Sequence, residues 1–341
     1  MEVVRLGKTN IFVKKLGWGG IPIQRASEEE AIKVIKEVVE MGVDFLDTAR
    51  AYTNSEERIG RALQEVKKTV VLSSKSHGRT EKIYDDVLLS LKNLQVKKIN
   101  IYHLHNVSSF SDYEKVMGPG GAYQGLKRAQ EEGLIDHIGI TSHNLSVLER
   151  AIKEEKFAVI MACYSFLEPA AAEKIFPLAK EKDLGILAMK PFSGGVIENV
   201  GAALRYVLAT PDIVAIPGSE TLAKARENWE IFRAKAPLSE EDRAYIDRLR
   251  KEFDRQFCRR CDYCQPCTQQ INIQLMLGIK SVVKRFGSPE EVKWIKDVVE
   301  KARNCTECGE CLPRCPYQLP IPELIKKNLA WLDSLKPKGI F

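Results

Sequence analysis

Three short apolar runs end on residues able to handle protons. Asp47 closes Phe45-Leu46-Asp47, Lys75 closes Leu72-Ser73-Ser74-Lys75, and His105 closes Tyr102-His103-Leu104-His105. Tyr52 follows Asp47 within Asp47-Thr48-Ala49-Arg50-Ala51-Tyr52. One chemistry uses all four types. Reducing a ketone or aldehyde needs a hydride on carbon and a proton on oxygen. A free phenol, with a pKa of about 10, is a poor acid at neutral pH. An adjacent ammonium stabilises the phenolate and lowers that pKa. Tyr52 would donate the proton, Lys75 would tune it, Asp47 would hold Lys75, and His105 would hydrogen-bond the substrate oxygen. Taken singly, a strand-end Asp caps, a Lys is solvated and a loop Tyr packs. The combination on consecutive strands carries the functional reading.

A second set is made of thiols. Eight of the nine cysteines lie between Cys258 and Cys315. The later run, Cys305, Cys308, Cys311 and Cys315 followed by Pro316, has the C-x2-C-x2-C-x3-C-P spacing of bacterial ferredoxins. The earlier run, Cys258, Cys261, Cys264 and Cys267, is one residue shorter, with Thr268 in place of the proline. Gln269-Gln270-Ile271-Asn272-Ile273 echoes Tyr317-Gln318-Leu319-Pro320-Ile321, so the two runs read as a duplicated unit. Such crowding argues for metal ligands rather than disulfides. Two [4Fe–4S] clusters are the leading reading, with a single cluster or structural zinc as alternatives. By the ferredoxin rule one cluster takes Cys258, Cys261, Cys264 and Cys315, and the other Cys305, Cys308, Cys311 and Cys267. Cys163 stands apart and reads as a small buried core residue.

The elements that must position these residues alternate in type. Strand-like runs fall at 15–19, 45–47, 69–75, 99–105, 135–141, 159–162, 185–190 and 213–216, with amphipathic helical patterns between them. Residues 2–6 and 11–14 flank Gly7-Lys8-Thr9-Asn10, a hairpin signal. Ser27-Glu28-Glu29-Glu30 is a capping box opening a helix to Met41. Eight βα units predict a closed (β/α)8 barrel. A doubly wound open sheet is the alternative, but no G-x-G-x-x-G follows the first strand. The predicted organisation is a barrel over 1–235, a connecting helix over 236–257, and a small, mainly helical cluster domain over 258–341. Within the last, helices are predicted over 274–286 and from Ser288-Pro289-Glu290-Glu291 to Ala302.

Composition bounds the rest. The 341 residues are 44% hydrophobic and 29% charged, as in a globular protein with ample core. No apolar run approaches the roughly 18 residues that span a bilayer, and Met1-Glu2-Val3-Val4-Arg5 lacks a signal-peptide pattern, which predicts a cytoplasmic protein without membrane association. From Cys258 onward there are 14 basic and 9 acidic residues, but no basic stripe interleaved with aromatics, so nucleic acid is not the expected partner. Cluster thiolates would offset most of that excess.

Over residues 1–235 the chain resembles the aldo-keto reductase family. The resemblance rests on Asp47-Thr48-Ala49-x-x-Tyr52, Lys75 and Leu104-His105, on the openings Leu6-Gly7-Lys8-Thr9 and Leu16-Gly17-Trp18-Gly19-Gly20, and on three later segments. Gly139-Ile140-Thr141-Ser142-His143-Asn144 is similar to the segment that holds the nicotinamide carboxamide, through Ser142 and His143. Ala188-Met189-Lys190-Pro191-Phe192-Ser193-Gly194-Gly195 is similar to the one after strand seven, whose glycines approach the pyrophosphate. Ile216-Pro217-Gly218-Ser219, Lys224, Glu227 and Asn228 are similar to the segment gripping the adenine half of NADP. The resemblance implies NADP, with NAD open, bound by Ser142, His143, Met189, Lys190, Phe192, Gly194, Gly218, Ser219, Lys224, Glu227 and Asn228. The chain departs from the family at Met161 for a Gln, Met189 for an aromatic residue, Gly218 for a Lys and Lys224 for an Arg. The tail resembles helical two-cluster ferredoxin domains.

The predicted function is an NADP(H)-dependent oxidoreductase acting on a small carbonyl or alcohol, its clusters moving single electrons. A redox partner protein is a further expected partner, and a flavin is compatible but has no motif. The alternative keeps the fold without carbonyl turnover, as a nicotinamide sensor or electron carrier. His77 is expected in a solvated loop, His137 packed at a strand start, His103 lining the barrel, and Trp18, Tyr102 and Phe166 around a pocket.

Overall fold

The computed structural model describes residues 2–286 and 295–335, so the capping box expected at Ser288-Pro289-Glu290-Glu291 lies outside the described residues. The chain divides into two compact units, Met1–Arg243 and Ala244–Phe341.

The first unit opens with β1 (Val3–Arg5) paired antiparallel to β2 (Phe12–Lys14). Eight parallel strands follow in sequence order: β3 (Trp18–Gly19), β4 (Phe45–Asp47), β5 (Val71–Ser76), β6 (Ile99–Leu104), β7 (Ile135–Ser142), β8 (Val159–Cys163), β9 (Gly185–Met189) and β10 (Val214–Ala215). Parallel bridges Leu16↔Ala215 and Gly19↔Gly218 join the last strand to the first, so the sheet closes as a barrel. The open-sheet alternative is thereby excluded. The connecting helices are α1 (Glu28–Met41), α2 (Ser55–Gln64), α3 (Ile83–Leu94), α4 (Phe110–Met117), α5 (Ala122–Glu131), α6 (Leu145–Lys153), α7 (Ala170–Glu181), α8 (Val200–Leu208) and α9 (Leu222–Ala234), after which α10 (Glu240–Phe253) leads on.

Local sequence explains the boundaries. Ser27 and Glu30 form the capping box before α1, and Gly42, with φ +112°, ends it in the left-handed region. Gly118 and Gly121 are the C-cap of α4 and the N-cap of α5. Strand alternation sorts the side chains into two cores. Outward residues such as Leu46, Tyr102, Ile140 and Ile160 pack under the helices. Inward residues Phe45, Ile101, Met161, Leu187 and Val214 meet Val4, Leu6 and Val13 of the hairpin, which fills one end of the barrel. Tyr102 accordingly lies in the sheet–helix layer, its hydroxyl 3.1 Å from Ser90 of α3, and lines no pocket at the strand ends.

The second unit contains α11 (Ile273–Leu277), α12 (Ile279–Phe286), α13 (Lys296–Arg303) and α14 (Ile321–Asp333). The single helix expected over 274–286 is broken at Gly278, the C-cap of α11. Asn328 of α14 donates to the carbonyls of Met276 at 3.0 Å and Leu277 at 3.3 Å, serving acceptors that lie at the break. The echo between the two cysteine runs is structural. Gln270 and Gln318 have φ of +54° and +50°, and each donates its N–H to the cysteine three residues earlier, Cys267 or Cys315. Asn272 and Pro320 then hold the N-cap positions of α11 and α14, only Asn272 with a side-chain bond, and the first helical residues, Ile273 and Ile321, are both buried. Among the described residues no helix is long and apolar enough to cross a membrane.

The hairpin turn suggests a stability test. Gly7 has φ +51°, and a Cβ there would sit 2.3 Å from the carbonyl oxygen of Asp183. Gly133 has φ +74° but open space around its Cβ direction. Gly133→Ala therefore carries only the left-handed strain of about 1–2 kcal/mol, whereas Gly7→Ala adds overpacking of about 1–3 kcal/mol. Thermal melts of both variants should show the larger loss for Gly7→Ala; equal losses would exclude the close approach.

Candidate functional site

The register of β4 against β5 sets Asp47 opposite Ser73, and that of β5 against β6 sets Lys75 opposite His103. Ser73 and Lys75 share one face of β5 by the two-residue repeat, and both point inward. Lys75 is only 2% exposed, and its Nζ donates to Asp47 Oδ2 at 2.5 Å and to the Thr48 carbonyl at 2.7 Å. Its Nζ also lies 5.0 Å from the Tyr52 ring centroid, close enough for its charge to act on the phenol. The fourth residue, His105, meets Tyr52 edge-on with ring centroids 5.9 Å apart. The structure thus brings Asp47, Tyr52, Lys75 and His105 together.

Burial works against the Lys75 ammonium, but Asp47 and Tyr52 outweigh it, so its pKa is raised. Burial also pushes the Asp47 carboxyl up, with Lys75 and Ser73 opposing. The pair holds its proton tightly, and it does so directly beneath a phenol. Burial, followed by the Lys75 charge, drives His105 well below the ordinary histidine range. It is a neutral imidazole at neutral pH, able to donate one N–H.

The loops carrying these groups are clamped. Thr48 Oγ1 donates to Ser55 Oγ at 2.9 Å, and Ser55 N donates to the Tyr52 carbonyl at 2.8 Å, which curls the loop after β4. The buried Glu56 accepts from Ser74 Oγ at 2.7 Å and from Arg50 at 2.6 Å. Arg79 donates to the carbonyls of His105 and Asn106 at 3.1 and 3.0 Å while paired with Asp112 at 2.7 Å. His77, expected in a solvated loop, is exposed yet stacks on His105 with centroids 3.9 Å apart. The sequence reading missed Ser73, Glu56 and Arg79; only strand parity pointed to Ser73.

The candidate cofactor residues lie at the ends of β7 and β9, in the loops after β7, β9 and β10, and on α9. Ser142 donates its hydroxyl proton to the Val107 carbonyl at 2.6 Å, so toward a ligand it acts as an acceptor. His143 Nε2 lies 2.9 Å from Lys190 Nζ. Met189 and Phe192 are half-buried, and Gly194 and Gly195 take φ of +73° and +92° with open space at their Cβ positions. Ser219 is buried and accepts from Trp18 Nε1 at 2.9 Å. Gly218 has a steric reason: a Cβ there would lie 2.5 Å from Pro22 Cγ, so a lysine does not fit without displacing that ring. Lys224 pairs with Glu220 at 2.7 Å, and Arg25 reaches the same carboxylate at 3.4 Å. Glu227 is exposed and Asn228 buried, both on α9.

In the second unit the eight thiols divide between two cavities. Cys258, Cys261, Cys264 and Cys315 line one, and Cys267, Cys305, Cys308 and Cys311 line the other. Each cavity takes three cysteines from one run and one from the other. All eight are free thiols, and the walls mix apolar side chains, Leu319 and Ile321 in one and Ile271 and Ile273 in the other, with polar ones such as Gln274 and Thr268. Among the described residues no three His, Cys, Asp or Glu side chains converge as ligands of one metal ion. Two groups of four thiols, each around one cavity, suit a cluster's size and soft donor preference.

The sequence matches the Aldo/keto reductase family over residues 14–200 and the 4Fe-4S dicluster domain over residues 257–320. It is 23% identical over 308 residues to the uncharacterized oxidoreductase YqkF of Bacillus subtilis, covering 74% of this chain and 98% of that protein. It is 33% identical over 157 residues to methylglyoxal reductase DkgA of Escherichia coli, covering 45% of this chain and 53% of that protein. The chain spans 64% of the length of an aldo-keto reductase relative from Glycine max. The fold superposes on an aldo-keto reductase from Bacillus halodurans with a TM-score of 0.62 at 24% identity, covering 73% of this chain and 96% of that one. A Klebsiella pneumoniae aldo-keto reductase solved in complex with NADPH gives a TM-score of 0.61 at 20% identity, covering 73% of this chain and 94% of that one. With more than half its length matched and a closed barrel, the chain belongs to the aldo/keto reductase family and carries a 4Fe-4S dicluster domain.

Proposed function

We propose that the barrel reduces a small carbonyl compound, or oxidises the matching alcohol, with NADP(H). The second unit holds two [4Fe–4S] clusters that exchange single electrons with a separate redox partner. The observation that carries the first part is the buried Lys75, hydrogen-bonded to Asp47 and 5.0 Å from the Tyr52 ring centroid. The nicotinamide-bound relatives support the cofactor. On this reading residues 1–235 form the reductase barrel, 236–257 the connecting helix and 258–341 the cluster domain. Eight free thiols suit a reducing, cytoplasmic setting.

Bound nicotinamide supplies a hydride, and the clusters supply single electrons. This chain's residues handle everything else. Tyr52 gives its hydroxyl proton to the substrate oxygen as charge builds there. Lys75 stabilises the phenolate left behind, and Asp47 keeps Lys75 charged. The neutral His105 aims an N–H at the same substrate oxygen and orients it. Ser142, His143, Met189, Lys190, Phe192, Gly194, Gly218, Ser219, Lys224, Glu227 and Asn228 form the nicotinamide dinucleotide site. One cluster is assigned to Cys258, Cys261, Cys264 and Cys315 and the other to Cys267, Cys305, Cys308 and Cys311. The lining of the two cavities favours this exchange of fourth ligands.

Two measurements test these assignments. With NADPH and methylglyoxal as the probe aldehyde, Tyr52→Phe should lower kcat/KM by about 100-fold or more. Undiminished turnover in a folded variant would overturn the role of Tyr52. Anaerobically prepared protein should contain about eight irons and lose visible absorbance with dithionite. The double variant Cys261→Ser with Cys315→Ser should retain about four irons. Loss of nearly all iron would mean that Cys315 and Cys261 serve different clusters.

A further inference from the structure

The face of β6 that points into the barrel carries a second histidine with no part in the chemistry above. His103 is wholly buried, two residues before His105 and opposite Lys75 in the strand register. Its ring occupies a slot left by Gly139 on β7: a Cβ on that glycine would fall 2.1 Å from His103 Nδ1. From this slot Nε2 lies 3.1 Å from Ser73 Oγ, and Ser73 Oγ in turn donates to Asp47 Oδ1 at 2.9 Å.

The proton count along this chain fixes each role. An ionised carboxylate only accepts, and a serine has one hydroxyl proton. Ser73 spends that proton on Asp47, so the atom facing its lone pair must be a donor. His103 is therefore protonated at Nε2. Its Nδ1 has no hydrogen-bond partner, which suits an unprotonated nitrogen more than an N–H. Burial, followed by the nearby Lys75 charge, holds the ring far below the ordinary histidine range, so it stays neutral.

We propose that His103 is a positioning residue for Tyr52: through Ser73 it locks a hydroxyl proton onto Asp47, and so keeps Asp47 ionised and Lys75 protonated beneath the phenol. The proposal rests on the reading of Tyr52 as proton donor. Without the Nε2–H donor, Ser73 is free to turn away and Asp47 loses a hydrogen bond that favours its charge. In so buried a place the pair then lowers its energy by passing the Lys75 proton to Asp47. A neutral Lys75 no longer stabilises the phenolate, and Tyr52 holds its proton more tightly. The other titratable groups facing Tyr52 do not compensate. Among the described residues, His105 is neutral, and the groups beside it are His77, stacked on it, His143 and the buried, neutral His103.

The test follows Tyr52 itself in the holoprotein, by carbon-13 NMR of ring-labelled tyrosine with Tyr52→Phe as the assignment control. His103→Leu should raise the Tyr52 pKa by about one unit and lower kcat for NADPH-driven reduction about tenfold with KM unchanged. His103→Gln, whose amide again offers a donor, should restore most of both. Ser73→Ala should match His103→Leu, and the two together should do no more than either alone. An unmoved Tyr52 in both His103→Leu and Ser73→Ala overturns the proposal. So does a wild-type nitrogen-15 spectrum showing His103 charged or protonated at Nδ1, an outcome that needs no variant to fold. If Tyr52 shifts as expected while Tyr52→Phe still reduces the aldehyde, the positioning stands and the catalytic reading of Tyr52 falls.

Discussion

A lysine ammonium held 2.5 Å from an aspartate carboxylate, both almost fully buried, is the constraint on which the barrel's upper end is built. Removing two charges from water costs several kcal/mol per ion, and the attraction between them repays this only with good geometry and further hydrogen bonds. The surroundings supply both. The Thr48 carbonyl takes a second Lys75 proton, Ser73 serves the other Asp47 oxygen, and the strand register fixes all of them on rigid elements. A pair this costly brings little stability by itself. Its position under Tyr52 is what gives it a purpose, because a fixed positive charge next to a phenol acts on acidity most strongly where water is excluded.

The second unit solves a different problem. Three of its described helices, α11, α12 and α13, span eight residues or fewer, and two of its core residues, Cys264 and Cys315, are thiols. The duplicated run-and-helix arrangement lets each run lend one cysteine to the other's cavity. On the cluster reading, ligation then ties together segments far apart in sequence, and metal binding becomes part of the folding energy. On the proposed function the two units also handle electrons differently: a carbonyl is reduced by a pair, a cubane passes one at a time.

Departures from the family pattern have local causes where the structure shows them. Gly218 is required by the Pro22 ring, and the cation at Lys224 is shared with Glu220, to which Arg25 also reaches. Met189, at the end of β9, is half-buried and offers a flexible thioether in place of a flat ring. These changes gather on the side proposed to bind the cofactor, while Asp47, Tyr52, Lys75 and His105 stand together at the other.

Much of this was legible in the residue order. The eight strands, the hairpin, the capping box at Ser27 and the ferredoxin spacing are local patterns, and local patterns are written in propensity and period. The phenol and the three residues around it could be named because strand ends in a barrel converge. What the sequence could not determine was how inward side chains meet across strands. That Ser73 joins His103 to Asp47 depends on register and on a glycine one strand further over. That Tyr102 turns away from the site depends on the parity of β6 relative to the barrel axis. The break at Gly278 depends on Asn328, fifty residues later, reaching Met276 and Leu277. Residue types and spacing set the chemistry available to this chain; only closure of the barrel and packing of the helices decided which groups share a proton, because those contacts join positions with no fixed separation along the sequence.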